Sequence, residues 1–315
     1  MFVILALDLG VLNRKAHVVS IREALTFTIG LVILALCFNG VVYLLYENHW
    51  LGLGATVDKV DGVVNDGRLA AVKFLTGYVI ELSLSADNVF VIAMIFQYLR
   101  VPPQYQHRVL FWGILGALVM RGGMILLGTA LIARYHWILY LFGAFLVFTA
   151  ARMLFGKDGG GDPADSLVMR WLRRFFPITP TYHEQHFVIV EHGKRILTPL
   201  AVALVLVETT DLVFAVDSIP AIFAITTDPF IVFAANAFAM LGLRALYFLL
   251  VGVMDRFVYL SQGLAVILAI IGAKMLLIDV WHVPIWLSLT LIVVILGVTA
   301  VLSLRAERHE ERQLA

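Results

Sequence analysis

Apolar residues fall in blocks of about twenty along this chain, parted by short clusters of charge, glycine and proline. A helix of about 20 apolar residues crosses the hydrocarbon of a bilayer, so the blocks predict nine membrane-spanning helices. The first, about Phe2 to Leu12, is short and contains Asp8; the second is about Ala24 to Tyr46. The third, Leu69 to Leu99, stops at Arg100-Val-Pro-Pro103, and the fourth is about Val109 to Ala133. Trp137 to Phe155, Leu200 to Ile225 and Pro229 to Met254 follow, then Tyr259 to Val280 and Pro284 to Leu304. Only the segment 156–198 is a substantial polar piece. Its start, Gly159-Gly-Gly161-Asp-Pro163, is expected to be mobile, and Arg170-Trp-Leu-Arg-Arg174 reads as a basic interfacial stretch. Phe187 to Val190 and Arg195 to Thr198 predict a hairpin.

Composition agrees with the pattern. The chain is 61% hydrophobic and 14% charged, with mean hydropathy +0.94, against about 25% charged for a soluble domain. An all-α polytopic membrane protein follows. One cysteine, Cys37, excludes an internal disulfide and a cysteine-based zinc site. No cleavable signal peptide is evident, since the start lacks a basic region and a small-residue cleavage site.

The net charge of +1 hides an uneven distribution. One side of a nine-span chain collects Arg14, Lys15, Arg22, Arg100, Arg108, Arg152, Lys157, Arg170, Arg173, Arg174, Lys194, Arg195, Arg256, Arg305, Arg308 and Arg312. The other collects Lys59, Arg68 and Arg134. The positive-inside rule then puts the C-terminus in the cytoplasm and the N-terminus outside, in a bacterial-type inner (plasma) membrane.

Two stretches carry acids where a bilayer would make them expensive. Glu81-Leu-Ser-Leu-Ser-Ala-Asp87-Asn88 and Asp211-Leu-Val-Phe-Ala-Val-Asp217-Ser218 share one pattern: acid, five residues, acid, small polar residue. An Asp at the centre of a spanning helix costs roughly 2.5–3.5 kcal/mol. Further matches extend the likeness: Met120-Arg121 with Leu243-Arg244, and Ala151-Arg152-Met-Leu with Ala273-Lys274-Met-Leu. Spans 3–5 and 6–8 therefore read as two three-helix repeats, inverted because three is odd, with a binding site where they meet. The chain divides into spans 1–2 and their loop (1–68), repeat 1 (69–155), a cytoplasmic loop (156–198), repeat 2 (199–280), and span 9 with its tail (281–315).

The candidate ligands are Glu81, Asp87, Asn88, Glu208, Asp211, Asp217 and Ser218. On a straight helix Glu81 and Asn88 lie about 20° apart but Asp87 about 120° away. Pro220 removes a backbone donor and crowds the carbonyl of Val216, so the sixth span is expected to be kinked or unwound around Asp217-Ser218. Carboxylates, an amide and a hydroxyl suit a hard cation: Mg²⁺, Ca²⁺ or Mn²⁺. Neither stretch offers the Cys or His that Cu⁺ or Zn²⁺ favours. Arg121, Arg244 and Lys274 are expected to compensate charge, leaving two acids in excess for a divalent ion or protons, and Asn39 and Asn236 to donate hydrogen bonds between helices. Lys73 is expected to snorkel to the interface, and His183-Glu-Gln-His186 lacks the four-residue spacing of a zinc helix.

Glu81-Leu-Ser-Leu-Ser-Ala-Asp-Asn-Val-Phe, the run Glu208 to Ala224, Thr227-Asp-Pro-Phe and Leu241-Gly-Leu-Arg-Ala resemble the TerC family of integral membrane proteins, more closely its Alx-like branch. The resemblance covers nearly the whole chain. It implies manganese homeostasis by Mn²⁺ export, a link to tellurium resistance, a fold related to LysE-type exporters, and a site at Glu81, Asp87, Glu208, Asp211 and Asp217.

The expected function is therefore a divalent-cation exporter rather than an enzyme, with Mn²⁺ first and Ca²⁺ or Mg²⁺ as alternatives. Its partners are the lipid bilayer, the cation and protons in exchange; nothing points to nucleic acid. The alternative is a membrane platform with a structural ion, recruiting partners for metal or tellurium stress through loop 156–198. An intramembrane aspartyl protease is disfavoured, since neither acidic stretch carries the Gly-x-Gly-Asp signature.

Overall fold

The computed structural model describes residues 21–155, 167–191, 193–250, 259–280 and 284–314. The short first span, Asp8 and the glycine-rich 159–163 stretch lie outside the described residues. The remaining eight spans are all helices: α1 (Ile21–Glu47), α2 (Gly67–Tyr98), α3 (Pro103–Arg134), α4 (Ile138–Phe155), α6 (Pro199–Phe223), α7 (Pro229–Leu250), α8 (Leu260–Leu276) and α9 (Ile285–Leu314). Seven are long and apolar enough to cross a membrane. The 17 residues of α8 reach about 25 Å at 1.5 Å per residue, at the short end of what spans. The protein is an all-α polytopic membrane protein.

Local chemistry sets the helix ends. Asp66 caps α2, its Oδ1 accepting from the backbone N–H of Leu69 at 2.7 Å. Arg100, at φ 53°, turns the chain out of α2, and Pro103 opens α3 where its missing N–H costs nothing. Pro199 opens α6 in the same way. α6 is not unwound at Asp217-Ser218: it is helical throughout and contains Pro220. Pro220 forgoes only its own bond to the Val216 carbonyl, and the helix ends three residues later at Phe223.

The spans pack as three principal pairs. α2 runs parallel to α7, with Gly77 facing Ala235 and Phe96 meeting Tyr247 further along. α3 runs parallel to α6, from Gly113 against Val207 to Gly128 against Phe223. α4 and α8 make the most extensive contact and run antiparallel. A Cβ on Gly272 would meet the Gly143 carbonyl oxygen at 2.8 Å, and one on Gly143 would meet that of Gly272 at 3.0 Å. Only glycine allows that approach, the small-residue packing expected between membrane helices. α1 lies on α2 and α7, and α9 on α8. Their outer faces expose Ile29, Ile33, Leu36, Val293, Val294 and Val298, as a lipid-facing surface requires.

At the end of the bundle where α2 and α7 finish, a nine-residue helix, α5 (Leu167–Phe175), buries Met169 and Leu172 and exposes Arg170, Arg173 and Arg174. The predicted hairpin is there too: β1 (Val188–Glu191) pairs antiparallel with β2 (Lys194–Leu197), Ile189 opposite Ile196. His183 to His186 form part of the preceding turn, and Gln185 accepts from Arg108 at 3.0 Å.

Candidate functional site

The two acidic stretches cross inside the bundle. α2 and α6 are antiparallel, so Gly77 faces Ile222 at one end while Asn88 and Asp211 line one space at the other. Arg121 enters the crossing from α3 and Asn236 from α7.

Arg121 binds both stretches at once. Its Nε and Nη2 donate to the two carboxylate oxygens of Asp211 at 3.1 and 3.0 Å, a bidentate pair. Its Nη1 donates to Glu81 Oε1, to Asn236 Oδ1 at 2.7 Å and to Ser218 Oγ at 3.1 Å. Arg121, Glu81, Asn236 and Ser218 are all at most 2% exposed. A lone charge here would face a desolvation penalty of several kcal/mol, and the arrangement answers it with two opposite charges around one guanidinium. The balance is one negative charge in excess when both acids are ionised. Glu81 Oε2 and Asn236 Nδ2 are buried with no hydrogen-bond partner among the described residues.

The other predicted ligands are near, in different settings. Glu208 lies one turn before Asp211 and turns its carboxyl onto Gly116 of α3, where a Cβ would come within 2.6 Å of Glu208 Cδ. Its Oε2 is also buried without a partner among the described residues. Asn88 is buried and shares with Asp211 and Thr210 a space of about 10 Å³, the size of one water. Asp217, partly exposed, accepts from Thr149 of α4 at 3.2 Å. Asp87 lies on α2, and its side chain is outside the described residues. Among the described residues no three His, Cys, Asp or Glu side chains converge tightly enough to hold a metal.

The compensating groups divide. Arg121 is central, and Asn236 bonds between helices as the acceptor of Arg121, not as the donor expected. Arg244 is buried with its guanidinium 5.7 Å above the Phe27 ring. Asn39 has a buried Oδ1 without a partner among the described residues. Lys274 departs from expectation: it donates to Ser288 at 3.2 Å and shares with Asp61 the wall of a 290 Å³ cavity at the opposite end from α5.

That end holds a second buried network, which sequence reading missed. Lys73 does not snorkel. It is fully buried, and its Nζ bonds Asp58 Oδ2 at 2.8 Å, Asn65 Oδ1 at 2.7 Å and Asp61 Oδ2 at 2.8 Å. Asp58 in turn accepts from Thr226 and from the backbone N–H and hydroxyl of Thr227 at 3.0 and 2.9 Å. Lys59 donates to the carbonyls of Ile132 and Ala133 at the end of α3, at 3.1 and 2.7 Å. The segment 58–65 is thus strapped across the ends of α2, α3 and α6. The available signal was a lysine four residues into an apolar run, eight after an asparagine.

Burial would raise the Asp58 carboxyl, but the Lys73 charge and the hydrogen bonds from Lys73, Thr226 and Thr227 outweigh it and hold the group below its ordinary value of 3.8. A depressed folded value contributes stability above pH 3.8, lost as the pH falls through the folded value. Thermal midpoints of the detergent-solubilised protein between neutral pH and pH 3 are therefore expected to fall less steeply for Asp58→Asn than for wild type. Parallel curves would refute the assignment.

The family comparison bears on both networks. The description "Integral membrane protein TerC family" matches residues 67–311. The chain belongs to the TerC family. It is 45% identical to the Escherichia coli protein named "Putative membrane-bound redox modulator Alx" over 312 residues, 99% of this chain and 94% of that one. The Salmonella typhi protein of the same name is 45% identical over 313 residues, with the same coverage. An uncharacterized membrane protein of Myxococcus xanthus is 46% identical over 305 residues, 97% of this chain and 89% of that one. No solved structure matches the chain. The TerC match contains the whole Arg121 network and Lys73, whereas Asp58, Asp61 and Asn65 precede it.

Proposed function

We propose that this TerC protein exports a divalent metal cation, Mn²⁺ first, through the crossing of α2 and α6, with protons moving in exchange. The observation that carries the reading is a set of buried carboxylate oxygens, at Glu81 and Glu208, without partners among the described residues, beside an Asp211 carboxylate held by a tethered cation. In this arrangement Arg121 stands where a metal's charge would stand. A cation arriving at the water-sized space between Asn88 and Asp211 competes with the guanidinium for Asp211, and the released arginine compensates elsewhere. Protons are the other species that neutralise excess carboxylate in low dielectric, which links their movement to the metal's.

Two inverted repeats, α2–α4 and α6–α8, suit alternating access at this site. The support is reciprocal packing. The first helix of each repeat lies on the second of the other (α2 on α7, α6 on α3), and the third helices lie on each other. Arg121 joins Glu81 to Ser218, while Asn88 lies beside Asp211, the same contact with the repeats exchanged. The basic end with α5 is read as cytoplasmic, which places the C-terminus inside and the N-terminus outside a bacterial inner membrane. The relatives' name speaks of redox modulation. With one cysteine in the chain, we read such an effect as following from metal levels, not from an internal dithiol.

Mn²⁺ flux into or out of proteoliposomes, with Ca²⁺ and Mg²⁺ competing and internal pH followed, tests the reading. Saturable flux is expected in wild type, reduced at least about tenfold in Asp211→Asn and Glu81→Gln, the effect of losing about 1.4 kcal/mol at the site. Gly116→Ala, which pushes aside the Glu208 carboxyl, is expected to lower flux while leaving the thermal midpoint near wild type. Absent flux in wild type, or flux indifferent to both acids, would overturn it.

A further inference from the structure

We infer that the basic end of the bundle carries a built site for the headgroup of an anionic phospholipid, in the groove beside α5. The groove has a volume of about 580 Å³ and lies between α5, the 176–180 segment and the adjoining ends of α2 and α6. Arg173 and Thr179 supply a cation and a hydroxyl, Tyr98 stands at the end of α2, and Leu99, Phe176 and Val202 give apolar walls.

The occupant follows from charge and from position. α5 buries Met169 and Leu172 against the bundle, so its other face is turned outward, and that face carries Arg170, Arg173 and Arg174. Beside them Trp171, Phe175 and Phe176 remain 55%, 57% and 42% exposed. Large aromatics exposed next to arginines belong at the level of lipid headgroups, where the ring sits among acyl chains and the cation among phosphates. Arg174 already lies 5.9 Å over the Phe175 ring, which keeps an arginine at the rim of that aromatic patch. The groove opens where α2 ends and α6 begins, at the limit of the spanning segments, so its polar members meet the headgroup and its apolar walls the first carbons of a chain. An acidic lipid satisfies both sets of groups. A soluble phosphate leaves the exposed surface of Leu99 and Phe176 uncovered.

Native mass spectrometry of the full chain, released from nanodiscs containing equal phosphatidylglycerol and phosphatidylcholine, tests this site. Wild type is expected to retain phosphatidylglycerol preferentially and to keep it in excess inorganic phosphate. Arg173→Gln should lower that retention about fivefold, one arginine at a headgroup surface being worth about 1 kcal/mol. Lys194→Gln, on the hairpin outside the groove, should leave it unchanged. Phe176→Asp places a like charge on an exposed wall and should lower retention through a different residue, which keeps the test open if either variant folds poorly. Equal retention of both lipids, stripping by phosphate, or indifference to both groove variants would overturn the proposal.

Discussion

Arg121→Met is expected to destabilise the protein by about 3–5 kcal/mol, the cost of removing one partner from a buried ion pair. The substitution leaves Glu81 and Asp211 facing each other's charge in a site almost closed to water. It also leaves Asn236 and Ser218 without the donor that joins α7 and α6 to α3. Arg121→Lys is expected to recover little, because one ammonium cannot make the side-on bidentate contact with Asp211 and still reach Glu81. The triple variant Arg121→Met, Glu81→Gln, Asp211→Asn should recover much of the loss, since neutral groups of the same shape carry no charge to strand. Thermal midpoints of the purified variants in one detergent measure the series. A single Arg121→Met within about 1 kcal/mol of wild type, the range of an exposed pair, would show that the cluster does not hold the helices together.

Lys73→Met is expected to cost a similar amount, about 3–5 kcal/mol, for the same reason at the opposite end of the bundle. Asp58 has a fully buried side chain, so without the ammonium its charge has only Thr226, Thr227 and the Val60 N–H for support. The Asp61 side chain is 28% exposed and can turn to water, so Asp61→Asn should cost much less. Pairing Lys73→Met with Asp58→Asn should restore part of the loss, because the Asn oxygen still accepts from the threonines. The network also ties segment 58–65 to the bundle, so Lys73→Met should expose that segment to limited proteolysis at native temperature. Unchanged cleavage together with an unchanged midpoint would contradict the strap.

Much of this arrangement is written in the chain one residue at a time. Hydrocarbon thickness and the need to satisfy every backbone group make a helix of any long apolar block, whatever its neighbours. That is why the second to ninth spans are legible from composition and period alone, and the small hairpin is legible from its two short apolar strands. The acids at 81 and 211 are legible for a related reason: a carboxylate in such a block is too costly to be incidental, and its pattern recurs. That α6 stays helical through Pro220 was not legible, because a proline removes only its own bond to the preceding turn, and the surrounding packing decides whether the helix gives way there.

What the sequence determined by itself is the set of spans, the ends rich and poor in basic residues, and which apolar blocks carry charge. Which charges meet was decided by tertiary packing alone. Arg121 and Arg244 occupy matching places in the pattern, yet Arg121 holds both acids and Arg244 lies over Phe27. Lys73 and Lys274 both sit in apolar runs, yet face the 58–65 segment and its cavity. The physical reason is one of range. Burying a helix face depends on its own residues, whereas a buried ion pair depends on distances of about 3 Å between helices far apart in sequence, and only the register of their packing sets those.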